Sequence, residues 1–326
     1  MTPNPLTALY KEKNGSKITT DIYLPRTQSN KNAKHPVLIN IHGGAFILGN
    51  SRMVSIPQIE DCLSRNWIVV VPNHRLCPAV NILDGPVEDC RDLLAWVFDG
   101  RLQEALSDLG MGSVRVDTDK VLAFGTSSGG FLALSLGYDV PRRPKAILDF
   151  YGAVHFTHPF WTQPLPHVAE KLPPGLSPEF IGKVYEEYPV PTDSSISLEG
   201  QMDQSGRGQG PDFSRVRDAF AFVQIANGRV LGACFPGRDV REIDPVCRVR
   251  EGFPATCVVH GTEDRMVPID LSRELVRVLE EKGVECEMVE VLGEDHTFAM
   301  GMQVGSRTWE IQRRGFDFLE RIIGRE

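Results

Sequence analysis

Apolar and polar positions along the chain switch between the period of a strand and that of a helix. Lys17 to Leu24 and Pro36 to Ile41 are rich in β-branched residues and predict strands. Trp67-Ile-Val-Val-Val71 is a short continuous apolar run, the pattern of a strand buried on both faces. Val54 to Arg65, between the last two, predicts a helix. Pro86 to Phe98 has proline near its start, acids in its first turn and apolar Val87, Leu93, Leu94 and Val97, which predicts an amphipathic helix. Val121 to Phe124 is another buried strand, then come a Gly/Ser cluster, the helical Phe131 to Leu136 and the strand Ala146 to Tyr151. Strands separated by helices need crossover connections. The expected fold class is therefore α/β, with a mostly parallel twisted sheet flanked by helices.

Between Ala153 and Phe253 this rhythm breaks. Pro164, Pro166, Pro173, Pro174 and Pro178 crowd together, Gly200 to Gly210 is polar and glycine-rich, and two helical pieces remain, Ser177-Pro-Glu-Phe and Ser214 to Ile225. A disordered linker would not carry Phe156, Phe160, Trp161, Phe213, Phe220 and Phe222. Residues 153–253 are read as a helical cap inserted into a core built from 1–152 and 254–326. The rhythm resumes with the strand Ala255 to His260, the helix Asp270 to Lys282, the strand Glu285 to Leu292 and the helix Thr308 to Ile323.

Composition narrows the function classes. Of 326 residues 41% are hydrophobic and 24% charged, the balance of a soluble globular protein. The net charge is −8 and no Lys/Arg block offsets it, so the chain repels phosphate backbones and nucleic acid is not an expected partner. No apolar run reaches the roughly 18 to 20 residues of a bilayer span, so no membrane association is expected. The amino terminus lacks the basic start and apolar stretch of a secretory signal. Seven cysteines at 62, 77, 90, 234, 247, 257 and 286 form no C-x-x-C pair, which predicts reduced thiols and a cytoplasmic location. Asn14-Gly-Ser reads as a turn.

The chemistry gathers at predicted strand ends. Gly125-Thr-Ser127-Ser-Gly129 is G-x-S-x-G between a strand and a helix, where small neighbours let a sharp turn close and the serine hydroxyl stands above the sheet. His42-Gly-Gly-Ala-Phe46 follows the Pro36–Ile41 strand, and its glycines free backbone N–H groups to stabilise an oxyanion together with Ser128. Serine needs a base held by a third group. His296 follows the Glu285–Leu292 strand, and Asp264, with Glu263 as its rival, follows Ala255–His260. Ser127 and Asp264 are far enough apart to admit the inserted cap, and Asp264 and His296 are one helix-strand unit apart. Of the other histidines, His155 and His158 have no third ligand nearby and imply no metal, and His260 reads as a strand-end core residue. Phe46, Tyr151 and Phe298 stand beside the site as substrate-binding candidates, with apolar packing under the cap as the equal alternative for each.

These motifs resemble the α/β-hydrolase superfamily, in particular the group of carboxylesterases, hormone-sensitive lipase and kynurenine formamidases. That group pairs an HGG-type oxyanion loop with a G-x-S-x-G-G elbow, here Ser127-Ser-Gly-Gly130. The resemblance runs from about His35 to the carboxyl terminus outside most of the cap. It implies Ser127 as nucleophile, His296 as base, Asp264 as acid, and oxyanion donors from Gly43, Gly44 or Ala45 plus Ser128, with no cofactor and no metal. Asp244-Pro-Val and Gly261-Thr-Glu-Asp264-Arg-Met-Val-Pro268 look like fungal members that serve secondary metabolism. Three departures bear on subgroup and substrate: Ala45 in place of a third glycine, Thr126 before the serine, and His74-Arg-Leu-Cys-Pro-Ala79 with its acid lost.

The function expected is cleavage of a carboxylic ester of a small to medium, largely apolar substrate through an acyl-enzyme. Amide hydrolysis, acyl transfer, or a cyclisation or elimination step with the same triad is the alternative, because fold does not set the reaction. A third reading is a non-catalytic receptor like the gibberellin receptors of plants, which lack the base; His296 counts against it. The chain is too short for the β-propeller of a prolyl-oligopeptidase-type peptidase. The expected partner is a small acyl compound, and a homodimer is left open.

Overall fold

The computed structural model describes residues 4–25, 33–194 and 210–325. Eight strands form one sheet: β1 (Leu6–Lys13), β2 (Ser16–Tyr23), β3 (Lys34–Ile41), β4 (Ile68–Pro72), β5 (Arg115–Thr126), β6 (Ala146–Phe150), β7 (Ala255–Gly261) and β8 (Cys286–Val291). Their order is β1-β2-β4-β3-β5-β6-β7-β8. β1–β2 and β2–β4 are antiparallel, and every other pair is parallel. The longer helices are α1 (Ile56–Ser64), α2 (Glu88–Phe98), α3 (Arg101–Asp108), α4 (Ser128–Ser135), α5 (Val216–Ala226), α6 (Ile269–Glu281) and α7 (Arg307–Ile323).

Strand periodicity sorts the core into two layers. Val37, Ile39 and Ile41 of β3 face Leu93, Leu94, Phe131 and Leu275 from α2, α4 and α6. Leu38 faces the other way, with Val69 and Val71, onto Ile59 of α1 and Phe316 and Leu319 of α7. Covering both faces explains why β4 and β6 are buried at every position and read as unbroken apolar runs. α7 buries Trp309, Phe316, Leu319 and Ile323, a stripe at three- and four-residue spacing, and each large apolar side chain so buried contributes about 1.5–3 kcal/mol.

The order of the strands positions the site. β3 has β4 on one side and β5 on the other, so the winding reverses there and a crevice opens at the carboxyl ends of β3 and β5. Ile41 pairs with Gly125 in register, which brings the loop after β3 beside the turn after β5.

Two elements had no expectation from the sequence. β1 alternates half-buried Leu6, Ala8 and Tyr10 with exposed Thr7 and Leu9 and ends on charged residues at the sheet edge, and its hairpin with β2 turns through Asn14 and Gly15 at φ 50° and 82°. α3 buries only Leu102 and Leu106, an i,i+4 pair too short to stand out. The helix expected from Pro86 begins as an α-helix at Glu88, after a wide helical turn over Leu83–Val87 that encloses Pro86. Between β6 and β7 lie short helical turns, among them Pro159–Thr162, Pro166–Ala169 and Pro178–Gly182, together with α5. Ser177 caps one of them by accepting the Phe180 N–H at 3.1 Å. Arg217 of α5 ties this segment to the loops after β3 and β4 by donating to the carbonyls of Ile47 and Cys77, and it pairs with Glu187 of the same segment. Of the polar run expected over Gly200 to Gly210, residues 200–209 lie outside the described residues.

Candidate active site

Ser127 sits at the turn between β5 and α4 with φ 54° and ψ −124°, a backbone conformation a serine adopts only when its surroundings enforce it. Three glycines make the enforcement possible. A Cβ on Gly125 would meet the Gly129 carbonyl at 2.0 Å, one on Gly129 would meet the Ile41 carbonyl oxygen at 2.2 Å, and one on Gly130 would meet Asp149 Oδ1 at 2.1 Å. The Ser127 N–H donates to the Phe150 carbonyl at 2.9 Å, and the Ser127 carbonyl accepts from Gly130 at 2.9 Å and Ala153 at 3.2 Å. The turn is thus stitched to β6.

The loop after β8 delivers His296 to that serine. Ser127 Oγ lies 3.0 Å from His296 Nε2, and His296 Nδ1 lies 2.6 Å from Asp264 Oδ2. A carboxylate oxygen only accepts, so Nδ1 carries the proton and Nε2 is left to accept from the serine hydroxyl. Asp264 Oδ1 accepts the N–H groups of Met266 and Val267, each at 2.8 Å. Burial pushes the Asp264 carboxyl up, but the charge and hydrogen bonds of His296 and His260 outweigh it and hold the group well below the ordinary carboxylate range. The structure therefore brings Ser127, His296 and Asp264 into one hydrogen-bonded chain. Glu263, the rival acid, is exposed, with its N–H on the Glu294 carbonyl.

A cavity of about 360 Å³ opens onto Ser127 and His296. Ala45 and Ser128 line it, and among the described residues their N–H groups donate to no protein acceptor. Gly43 and Gly44 do not line it. Gly44, at φ 122°, shapes the turn, its carbonyl accepting from Ile47 at 3.0 Å and Leu48 at 2.8 Å. Beneath this loop His42 stacks on His74, ring centroids 4.6 Å apart, and donates from Nδ1 to the Gly43 carbonyl at 2.7 Å. Burial lowers the two imidazoles to about 3 and about 4, so both are neutral supports. Arg75 is held by Asp89 in a buried two-pronged pair.

Of the three substrate-binding candidates, Phe46 lines the cavity. Tyr151 and Phe298 do not, a correction to the sequence reading. They pack on each other with centroids 5.3 Å apart, and the Tyr151 ring backs His296 at 4.7 Å, so they support the imidazole from behind. Much of the remaining wall comes from the β6–β7 segment, with Trp161, Leu165, Val168, Phe222 and Ile225 beside the polar Gln163, His167 and Lys171, and the loops after β7 and β8 add Arg265, Met266, Val267, Asp295 and Thr297. One contact was missed from sequence. His260, fully buried, directs Nε2 at Asp264 Oδ2 at 3.0 Å, and the four-residue spacing of His260-Gly-Thr-Glu-Asp264 was its available signal. Among the described residues no group of three or more His, Cys, Asp or Glu side chains is placed to hold a metal ion, and no helix is long and apolar enough to cross a membrane.

Two family models match the chain: one described as BD-FAE over residues 20–160, and the prolyl oligopeptidase family over residues 236–326. The curated relatives include a non-reducing polyketide synthase of Preussia isomera, 30% identical over 96% of this chain, and one of Aspergillus calidoustus, 26% identical over 97%. The chain spans 14% of the length of each. Among solved structures, esterase 2 of Thermogutta terrifontis phosphorylated by paraoxon aligns with 99% of this chain and 95% of its own, at TM-score 0.63 and 17% identity. The propionate-bound form of that esterase aligns with 98% of this chain and 95% of its own, at TM-score 0.63 and 18% identity. With its mostly parallel eight-stranded sheet and these structural likenesses, the chain has the α/β-hydrolase fold.

Proposed function

We propose that the chain is a serine hydrolase that cleaves carboxylic esters of small to medium, largely apolar acyl compounds through an acyl-enzyme. One observation carries this reading: the Ser127–His296–Asp264 chain faces an apolar-walled cavity beside the unpartnered N–H groups of Ala45 and Ser128. Ser127 Oγ attacks the carbonyl carbon while His296 Nε2 takes its proton. The N–H groups of Ala45 and Ser128 receive the developing oxyanion. His296 returns the proton to the leaving alcohol, and water then repeats the sequence to release the acid. Asp264 holds the imidazole tautomer and stabilises its charged form. The β6–β7 segment acts as the cap that excludes water. The reading includes a cytoplasmic setting, in keeping with seven unbonded cysteines.

Ser127→Ala and His296→Ala should each abolish turnover of p-nitrophenyl butyrate while leaving the thermal transition in place, and intact mass should show an acyl adduct on the wild-type chain alone. Full turnover in either variant ends the assignment.

The polyketide synthase relatives support a second reading of the same site, in which Ser127 accepts an acyl chain made by such a synthase and passes it to water or another nucleophile. Faster acylation by an acyl thioester than by the matching alkyl ester would favour it.

A further inference from the structure

His260 has no part in the reaction as derived above, yet it is fully buried, polar and held at three points. Its Nε2 faces two acceptors, Asp264 Oδ2 at 3.0 Å and the Val267 carbonyl at 2.8 Å. Only a protonated Nε2 satisfies both. Its Nδ1 lies 2.8 Å from Ser272 Oγ on α6, and the serine hydroxyl donating there fixes the Nε2–H tautomer of a neutral ring. Asp264 therefore divides its oxygens: Oδ1 serves two backbone N–H groups, and Oδ2 serves two imidazoles.

We propose that His260 is a positioning residue for the reaction at Ser127: by sharing Asp264 Oδ2 with His296, it fixes the carboxylate and moderates the basicity of the imidazole that faces the serine. The inference rests on the serine-hydrolase reading. Its physical basis is the low dielectric of a buried site, where an oxygen bound by one donor attracts a second less strongly. Without the His260 N–H, the negative charge on Oδ2 bears on His296 alone, which favours imidazolium over imidazole. Loss of such an outer hydrogen bond also loosens the ring it orients. The other charges near the two rings are already paired at the surface. Glu290, beside His260 in the β7–β8 register, is bound by Arg273, and Asp295 is bound by Arg265. Tyr151 contributes a ring against both imidazoles, at 4.7 Å and 6.3 Å.

The test compares His260→Leu, which removes the donor, with His260→Gln, whose amide N–H reaches toward the same oxygen, and with Ser272→Ala, which frees the tautomer from a distance. Two readouts are taken on the whole chain: kcat/KM for p-nitrophenyl butyrate against pH, and the NMR titration of His296. The Leu variant should lose about tenfold or more in kcat with KM little changed. Its acid limb and the His296 titration should both move to higher pH, Gln should restore most of the loss, and Ser272→Ala should move the same way by less. A folded Leu variant with an unmoved titration overturns the inference. If it does not fold, an unmoved titration in Ser272→Ala does so. Wild-type chain without turnover or labelling of Ser127 by a fluorophosphonate overturns the hydrolase reading instead, and the NMR titration still decides whether His260 acts on His296.

Discussion

Asp264 Oδ2 lies 2.6 Å from His296 Nδ1, the shortest contact in the chain of atoms that ends at Ser127 Oγ. Replacing Asp264 by Asn keeps the shape and reverses the chemistry, because an amide N–H₂ turned toward Nδ1 forces the proton onto Nε2. The histidine then faces Ser127 as a donor. Asp264→Asn should lower kcat by about 10³ to 10⁴ near pH 7. The check is steady-state kinetics beside a melting curve: near-normal turnover in a folded variant would contradict the assigned tautomer.

The elbow depends on backbone closeness at Gly129. A methyl there would stand 2.2 Å from the Ile41 oxygen and 2.5 Å from the His42 oxygen, both backbone atoms of the neighbouring strand and loop. Neither can step aside without shifting β3. Gly129→Ala should cost more than the about 1–3 kcal/mol typical of overpacking, and should remove activity together with stability. Denaturant unfolding measures both against the wild-type midpoint.

Much of this was legible in the sequence, for physical reasons that differ by residue. Ser127, Asp264 and His296 were legible because each follows a strand whose apolar run is unmistakable, and parallel strands deliver such residues to one edge. Tyr151 and Phe298 also follow strand ends, but whether an aromatic lines a cavity or backs a histidine depends on packing that no local pattern encodes. Which N–H groups of the His42–Phe46 loop turn toward the cavity depends on its backbone: the carbonyl of Gly44 is taken up by the turn, and Ala45, at φ 54°, lines the cavity. β1 was hidden by edge exposure, where charged residues are tolerated. His260 looked apolar by context because its partner, Asp264, is reached only after the chain turns past Gly261.

His42 and His74 make the fold sensitive to acid. Burial lowers their folded pKa to about 3 and about 4, against an unfolded value of about 6.5. The folded state then binds fewer protons than the unfolded one between those limits. Stability is complete above pH 6.5 and falls as pH drops toward the folded values, by up to about 1.4 kcal/mol per pH unit for each ring. His74→Phe preserves the stack on His42 and removes one titrating group. Its melting temperature should therefore fall less steeply than the wild type between pH 6.5 and 4.5. An equal slope would mean the rings do not titrate as their burial implies.

Asp149 has the opposite sign. Its carboxyl is fully buried on β6, against Gly130 and Gly152, and among the described residues both oxygens lack a partner within hydrogen-bond geometry. Burial pushes its pKa up to about 8, with the Gly152 N–H a smaller pull downward. The folded state keeps a proton that the unfolded chain has lost above about pH 4. The stabilisation is full below that point and declines as pH rises through about 8. Asp149→Asn removes this dependence. Its melting temperature relative to wild type should improve from pH 5 to pH 8.5, and a constant difference across that range would show that the carboxyl is already ionised.

Ile225 of α5 lines the cavity from the segment between β6 and β7, with Phe222 one turn before it. About 360 Å³ leaves room for a medium acyl group, so its length limit should be set by side chains on this wall rather than by those at Ser127. Ile225→Trp adds an indole where an acyl tail would extend and changes nothing at the reacting atoms. Turnover of p-nitrophenyl acetate should stay within about twofold, while kcat/KM for the hexanoate should drop about tenfold or more, the discrimination expected of a few methylenes in a hydrophobic pocket. Ile225→Ala should shift preference toward longer chains. Parallel loss on acetate and hexanoate would instead mean that the acyl group binds elsewhere in the cavity and that α5 only supports the site's shape.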